Sequence, residues 1–528
     1  MPRRTENAAI PDQNIAKAPM PTRHALHSIA EIRRIEQAAL AGLPSGTLMR
    51  RAGQAAAAAA IALLQPATPD AQVLVLVGPG DNGGDALEVA AALAQAGIAV
   101  TALIAGSAPS STDAQQALQR ARSSAAVFKD GAFLPEIPAT RWALIVDGLF
   151  GIGLARPIAG VYRRLIDSIN QLACPVLALD IPSGLDADTG TIVGSGNSGV
   201  AARAQQTITF IADKPGLHTC DGRDCAGAVT VAALALDARH FDCAPPSMHL
   251  ATLAEFSRAL QVRRHNSHKG SNGDVVIVGG AAGMHGAPVL AGRAAIQSGA
   301  GRVIAGFIGA APAFDSAQPE LMCRPVAQCA FAATVVIGPG LGNSDAALAA
   351  LRQTLQSDAR LVLDADALNL IAADPALQQT LAQRAAAAIM TPHPLEAARL
   401  LGTPSAAIQA DRIAAARRLA RSYHAIIVLK GSGSIIADPQ GKIVINPTGN
   451  PGLATAGTGD VLAGIIGALL SQGWPAWEAA IAAVWLHGNA ADELVAAGQG
   501  PIGLTASELV PLVRRSLNRL SNQYGTVR

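Results

Sequence analysis

Aromatic side chains make up only 3% of the 528 residues, and charged ones only 15%. The first scarcity removes the stacking platforms on which single-stranded nucleic acid is bound. The second, with a formal net charge of +2, excludes the strongly basic surface of a general nucleic-acid binder and the makeup of a disordered regulator. Cysteine is rare as well. The six present (Cys174, Cys220, Cys225, Cys243, Cys323 and Cys329) form no CxxC pair, so reduced thiols in a cytoplasmic protein are expected rather than a disulfide framework. Arg3 and Arg4 are followed by no apolar stretch of the kind a secretory leader needs. The most apolar runs, 55–64 and 461–470, are too short to span a bilayer, so no membrane partner is expected. The glycine-rich GxxxxGK loop followed by serine or threonine is also missing, which excludes a P-loop nucleotide hydrolase.

What the chain does have is hydrophobic residues, at 50%, and 52 glycines beside 32 prolines with no collagen-like period. A chain this long and apolar has material for more than one core. Residues 1–25 are polar and punctuated by proline, which predicts a flexible tail. A helical pattern starts at Ala30 and another runs through the alanines of 55–64. Apolar runs at 73–77, 100–104, 143–146 and 176–179 then alternate with helix-length segments. A second such series follows at 274–280, 334–340, 360–366 and 425–431. This rhythm predicts βαβ units and mostly parallel sheets. Pro245-Pro246 marks the natural break. We therefore expect an α/β protein of two three-layer αβα domains, a Rossmann-like one over 26–243 and a second over 250–522.

Parallel sheets bind ligands beyond the carboxyl ends of their strands, where strand order reverses. After 73–77 comes Gly78-Pro79-Gly80-Asp81-Asn82-Gly83-Gly84-Asp85. After 143–146 comes Asp147-Gly148, and after 176–179 comes Asp180-Ile181-Pro182-Ser183-Gly184. Each strand delivers a carboxylate wrapped in glycine to one edge. Gly78, Gly80 and Gly83 spell GxGxxG, but the next strand ends in Ala105-Gly106 with no acid to hold a ribose, against a dinucleotide dehydrogenase. Asn82, Asp147, Asp180 and Ser183 are hard oxygen donors that suit an alkali or alkaline-earth cation. Equally, they suit a structural hydrogen-bond network capping the following helices. A buried carboxylate among them is also a candidate general base.

In the second half, 446–467 places glycines before an apolar helix with Asp460 in its first turn. The free amides of 456–459 and the helix dipole favour an anion. An acid beside such amides can accept a hydroxyl proton during phosphoryl transfer; the plainer alternative is that Asp460 only caps its helix. Gly338-Pro339-Gly340-Leu341-Gly342, Asp364-Ala365-Asp366 and Lys430-Gly431-Ser432-Gly433-Ser434 follow other apolar runs. His393, in TPHPLE, is expected to touch a substrate or to fill a turn. His268-Lys269-Gly270, just before the first strand of this half, is expected to add positive charge near phosphates.

Taken together, GPGDNGGD, DGLFGIGLARP, DIPSGLDADTG and KPGL (214–217) resemble the motifs of the YjeF N-terminal, or NAD(P)H-hydrate epimerase, family. The resemblance implies that Asp81-Asn82-Gly83-Gly84-Asp85 and Gly151-Ile152-Gly153-Leu154-Ala155-Arg156-Pro157 embrace the hydrated dinucleotide. It further implies that Asn82, Asp147 and Ser183 hold potassium, and that Asp180 contacts substrate as the base. The chain departs from that pattern at Asp81, where the family has asparagine, and at Ile152, where it has threonine. GPGLG, DADALN, TPHPLE, VLKGSGS and NPTGNPGLATAGTGD resemble the ribokinase-like ADP/ATP-dependent NAD(P)H-hydrate dehydratases. That implies nucleotide binding by Lys430, Gly431, Ser432, Gly433, Ser434 and Gly459, and hydrate binding by Gly342, His393 and Asp460, with Asp460 catalytic. The order of the halves is similar to bifunctional repair enzymes. These interconvert the R and S hydrates (NADHX and NADPHX) and dehydrate the S form with ADP and Mg2+, giving AMP and phosphate. A homo-oligomer is expected. The rival is a ribokinase-like small-molecule or vitamin kinase carrying a non-catalytic N-terminal binding domain.

Overall fold

The computed structural model describes residues 24–64, 71–131, 142–194, 199–331 and 333–526; all but the end of the expected tail lies outside them. Two sheets organise the chain. The first has seven strands in the spatial order Val127–Asp130, Ala99–Ile104, Gln72–Val77, Leu144–Gly148, Val176–Leu179, Gln206–Phe210 and Ala228–Ala232. All its pairings are parallel. The second has eleven strands. Its parallel body runs Ile426–Leu429, Ala388–Met390, Arg360–Leu363, Thr334–Ile337, Asp274–Gly279, Arg302–Phe307, Met322–Pro325. An antiparallel hairpin, Ile435–Ala437 and Ile443–Ile445, extends the other side.

Alternation along each strand builds the layers. Val73, Val75 and Val77 face one core, with Ile32, Ile35 and the alanine-rich helix Thr47–Leu63. Leu74 and Leu76 face the other, with Leu165 and Ile166 of helix Gly160–Ile169. In the second sheet Val275 and Ile277 pack on helices Gly286–Gln297, Thr458–Ser471 and Ala476–Ala496, while Val276 and Val278 face helices Asp345–Gln356 and Arg412–Tyr423. Each half is thus a three-layer αβα unit, buried on both sheet faces as parallel strands require. Helix Thr458–Ser471 lies so close to its neighbour that a Cβ on Gly464 would stand 2.1 Å from the Ala291 carbonyl.

One element crosses between the halves. Strand Ala25–Leu26 pairs antiparallel with Met248–Leu250, which in turn joins the outer edge of the eleven-stranded sheet beside Ile443–Ile445. Leu26 is fully buried in a second-half core with Met248 and Val276. The change from one sheet to the other falls between residues 232 and 248, the interval that holds Pro245-Pro246.

Candidate active sites

In the first sheet the strand order reverses beside Gln72–Val77, and a crevice opens there. It lies between Gln72–Val77 and Leu144–Gly148. Helix Asp81–Gln95 starts directly at its rim, with Asp81 in the first turn, a favourable place for a negative charge. Asp81 accepts a hydrogen bond from Ser111 Oγ at 2.5 Å. A cavity of about 910 Å³ is lined by Asp81, Asn82, Asp85, Asp180 and the whole run 149–156, including Gly151, Ile152, Gly153, Leu154, Ala155 and Arg156. Gly83, Gly84 and Pro157 stand behind that wall. A Cβ on Gly83 would meet the Gly78 carbonyl at 2.0 Å, one on Gly84 would meet Met49, and Pro157 packs against Gly194. The amides of Gly83 and Gly84 are already spent on the Gly80 carbonyl.

Asp180 is the focus of the cavity. Its φ of 64° is left-handed, a conformation that Asp tolerates better than most residues but that still costs about 1–3 kcal/mol. Oδ1 accepts from Lys214 Nζ at 2.7 Å and from the Phe210 amide at 3.2 Å. Lys214, fully buried, also reaches Thr209 Oγ1 at 2.5 Å and the Phe210 carbonyl at 3.2 Å. The other oxygen, Oδ2, lies 3.4 Å from where a Cβ on Gly151 would be. So one edge of the carboxylate is anchored and the other faces the cavity beside a residue with no side chain. Glu36, from helix Ile29–Leu40, joins the same lining. Burial raises its pKa, with Asp180 and Asp81 adding to the effect. Asp85 is pushed well up by burial and by Asp180, Asp81, Glu36 and Glu88.

Of the two arrangements foreseen for the oxygen cluster, the hydrogen-bond network is present between Ser183 and Asp147. Asp147 and Ser183 are fully buried. Ser183 Oγ donates to Asp147 Oδ1 at 2.7 Å, and the Ser183 amide donates to Oδ2 at 2.9 Å. Burial raises the Asp147 pKa, against the hydrogen bonds from Ser183 and Leu149. Asn82, which sits against Gly148 and Gly151, is buried with neither Oδ1 nor Nδ2 hydrogen-bonded. The unpaired Asn82 amide oxygen, on a side chain that shares the Gly151 surface with Asp180 Oδ2, is a hard donor of the kind that fits a monovalent cation.

The second site gathers at the carboxyl ends of Arg360–Leu363 and Ile426–Leu429 and at the start of helix Thr458–Ser471. Gly457, at φ 87°, turns the chain into that helix. The amides of Gly459 and Asp460 then lie in its first turn, where no intrahelical acceptor exists. Lys430 Nζ donates to Asp364 Oδ1 at 2.7 Å, and Thr391 Oγ1 donates to the same oxygen at 2.7 Å. A Cβ on Gly459 would stand 3.5 Å from Lys430 Nζ and 3.8 Å from Asp364 Oδ2. Burial works against the Lys430 ammonium, yet Asp364, Glu396 and Asp460 outweigh it and raise its pKa. Asp460 is pushed up to about 6 by burial and by Asp364 and Asp366, against the pull of Lys430. Behind the helix start, His487 is buried and lowered to about 4 by burial; it is neutral at physiological pH.

A carboxylate that must be ionised to accept a proton works only above its pKa. We therefore expect kcat/KM of the second site's reaction to fall as pH drops through about 6, and Asp460→Asn to abolish that limb. A pH–rate profile checks it; an unchanged limb in the variant would assign the titration to another group.

Gly342, at φ 71°, donates its amide to Asp366 Oδ2 at 2.8 Å. His393 caps helix Pro394–Leu401. Its Nδ1 accepts from the amides of Leu395 and Glu396, and Nε2 stands 3.1 Å from Glu396 Oε1. It therefore fills the turn, with nearly half its side chain exposed. His268-Lys269-Gly270 is placed otherwise than expected. It precedes the amino end of Asp274–Gly279 and packs against Gly301, at the edge opposite Asp460. All six cysteines are free, and among the described residues no helix is long and apolar enough to cross a membrane.

Residues 45–216 match the family model of the YjeF-related protein N-terminus, and residues 275–513 match that of NAD(P)H-hydrate dehydratase. The bifunctional NAD(P)H-hydrate repair enzyme of Coxiella burnetii is 38% identical over 508 residues, covering 93% of this chain and 99% of that one. The enzyme of the same name from Escherichia coli is 38% identical over 521 residues, covering 96% of each. The solved ADP/ATP-dependent NAD(P)H-hydrate dehydratase of Bacillus subtilis is 30% identical, covers 51% of this chain and 98% of its own, and gives a TM-score of 0.45. With both halves matched in order and relatives aligned from end to end, the chain belongs to the family of bifunctional NAD(P)H-hydrate repair enzymes.

Proposed function

We propose that the first half interconverts the R and S hydrates of NADH and NADPH at Asp180, and that the second half dehydrates the S form at Asp460 at the expense of ADP. The observation that carries this reading is a partly buried carboxylate, Asp460, in the first turn of a helix whose free amides lie beside the Lys430–Asp364 pair. Hydroxide leaves poorly; phosphate leaves well. Asp460 takes the proton of the hydroxyl on the ring carbon next to the nitrogen as that oxygen attacks the terminal phosphorus. The amides of Gly459 and Asp460, with Lys430, stabilise the charge that develops on the phosphoryl oxygens, and AMP departs. The ring nitrogen's lone pair then expels phosphate, and loss of a proton from the neighbouring ring carbon restores the reduced nicotinamide.

Magnesium fits this site. Burial, and after it the neighbouring carboxylates Asp364 and Asp366, raise Asp460, a surplus of negative charge that a divalent cation would offset. The ion would be held on the nucleotide phosphates beside Asp364, Asp366 and Asp460 and neutralise part of the phosphate charge.

Only one hydroxyl configuration can lie in line with the phosphoryl group, which gives the first half its purpose. Asp180 Oδ2 takes the hydroxyl proton as the bond from carbon to ring nitrogen opens. Asp180 passes that proton to the nitrogen, and on reclosure from the other face the proton returns by the same route to the oxygen, so that only the centre is inverted. Lys214 holds Oδ1 throughout. Asn82, Asp147 and Ser183 would hold potassium, which would balance the buried Asp147 charge and fix the loop below the substrate. The run Gly151–Arg156, with Asp81, Asn82 and Asp85, supplies the cavity wall against the dinucleotide. A cytoplasmic location and a homo-oligomeric state belong to the same reading.

Full-length protein given mixed R and S hydrates, Mg2+ and ADP should consume both forms, release one phosphate per hydrate and restore nicotinamide absorbance. A stable phosphorylated product would make it a kinase instead, and persistence of the R form would remove the epimerase.

A further inference from the structure

The two glycine-rich loops that flank the second site are gripped by the first half. Thr219 Oγ1 lies 3.2 Å from the carbonyls of Ser432 and Gly433, the Cys220 amide donates to the Ser432 carbonyl at 3.2 Å, and Ser432 Oγ donates to the Cys220 carbonyl at 2.9 Å. Arg412, among the largest fully buried side chains of the molecule, sits between them. It donates to Thr219 Oγ1 at 2.9 Å, to the Leu429 carbonyl at 3.2 Å and to the Ser432 carbonyl. A few residues on, Arg223 donates to the Gly449 carbonyl at 2.9 Å and to that of Thr448 at 3.4 Å, at the start of the segment that leads to Asp460.

The loop glycines are shaped for this contact. A Cβ on Gly431, at φ 145°, would stand 2.7 Å from Arg412 Nη2, and one on Gly433, at φ 60°, would stand 2.0 Å from the His218 carbonyl. The gripping segment is itself firm: the Gly222 amide donates to the carbonyls of Thr219 and Gly190 at 3.0 and 3.1 Å.

We propose that Thr219, Arg412 and Arg223 are positioning residues for nucleotide binding in the dehydratase half: the first half sets the shape of the loops 430–434 and 448–449, so affinity for the nucleotide depends on side chains of the epimerase half. This rests on the reading of 430–434 as a nucleotide loop. Thr219 closes a hydrogen-bond circuit between a buried guanidinium and the loop carbonyls. Without its hydroxyl, Arg412 loses an acceptor in a place where water cannot replace it.

The test uses the full-length enzyme with ADP and S hydrate. Thr219→Val should raise the nucleotide KM about tenfold with kcat changed by less than about twofold, since a charged hydrogen bond is worth roughly that ratio. Thr219→Ser, which keeps the hydroxyl, should restore the wild-type KM, and Arg223→Met should raise it about threefold on its own. Epimerisation should be unaltered in all three. A nucleotide KM within about twofold of wild type in both Thr219→Val and Arg223→Met overturns the proposal; so does a loss confined to kcat and shared by Thr219→Ser. Should Thr219→Val fail to fold, Arg223→Met decides alone. Lys430→Met separates the two ideas: if it leaves the nucleotide KM unchanged, the loop reading fails, whereas a raised KM there with Thr219→Val unaffected sinks the grip alone.

Discussion

With asparagine in place of Asp460, dehydration of the S hydrate should fall by about a thousandfold while R–S interconversion keeps its rate. Removal of a general base costs on the order of a hundred- to ten-thousandfold, and asparagine keeps the shape while losing the ability to take a proton. The substitution should not weaken the fold. A carboxylate raised to about 6 binds its proton more tightly folded than unfolded, so its ionised form subtracts stability at neutral pH and that penalty fades as pH falls through about 6. Asparagine removes the penalty. The unfolding free energy at pH 7 should rise by about 1 kcal/mol once solvent screening is allowed for, seen as a higher thermal midpoint. Phosphate release and thermal melting on the same preparation check both halves of the expectation, and near-normal phosphate release would remove Asp460 from the chemistry.

Asp180→Asn should leave the S form consumed normally and the R form behind, with enzymatic epimerisation reduced by about a thousandfold. Here stability does suffer. Lys214 is fully buried and 2.7 Å from Asp180, and stripping one partner from a buried pair costs about 3–5 kcal/mol. The double variant Asp180→Asn with Lys214→Met removes both charges, and should recover most of the lost stability without recovering epimerisation. That split separates a chemical role from a merely structural one. Chiral separation of residual hydrates gives the readout; R hydrate that still disappears at the wild-type rate in the stable double variant would exclude Asp180 as the base.

The strand ends were the most legible part of this chain. A carboxylate directly after a short apolar run is a local signal, and Asp147, Asp180 and Asp364 lie at the carboxyl ends of their strands, with Asp460 in the first turn of its helix. Strands such as Gln206–Phe210 and Ala228–Ala232 were less visible, because threonines and half-exposed positions dilute the apolar run. Lys214 stood in a motif but nothing local pairs it with Asp180, 34 residues away. Glu36 looks like one more exposed charge on an amphipathic helix until the cavity is seen to reach it. Thr219 and Arg412 are 193 residues apart in the chain, and no periodicity or spacing connects them. The misplacement of His268-Lys269 has a simpler cause: residues before a strand lie at its amino end, whereas a parallel sheet gathers ligands at the carboxyl end.

The pairing of Ala25–Leu26 with Met248–Leu250 has a bearing on how such a molecule is made. On the ribosome the short opening strand emerges on the order of ten seconds or more before its partner exists, and the whole epimerase unit must be threaded between them. Cutting the polypeptide at the double proline would leave one fragment with a dangling edge and the other missing its outermost strand, each with bare backbone groups inviting misassociation. Fusion here is therefore a stitched seam and not a tether, and the two catalysts are better regarded as inseparable in assembly than as beads joined for convenience.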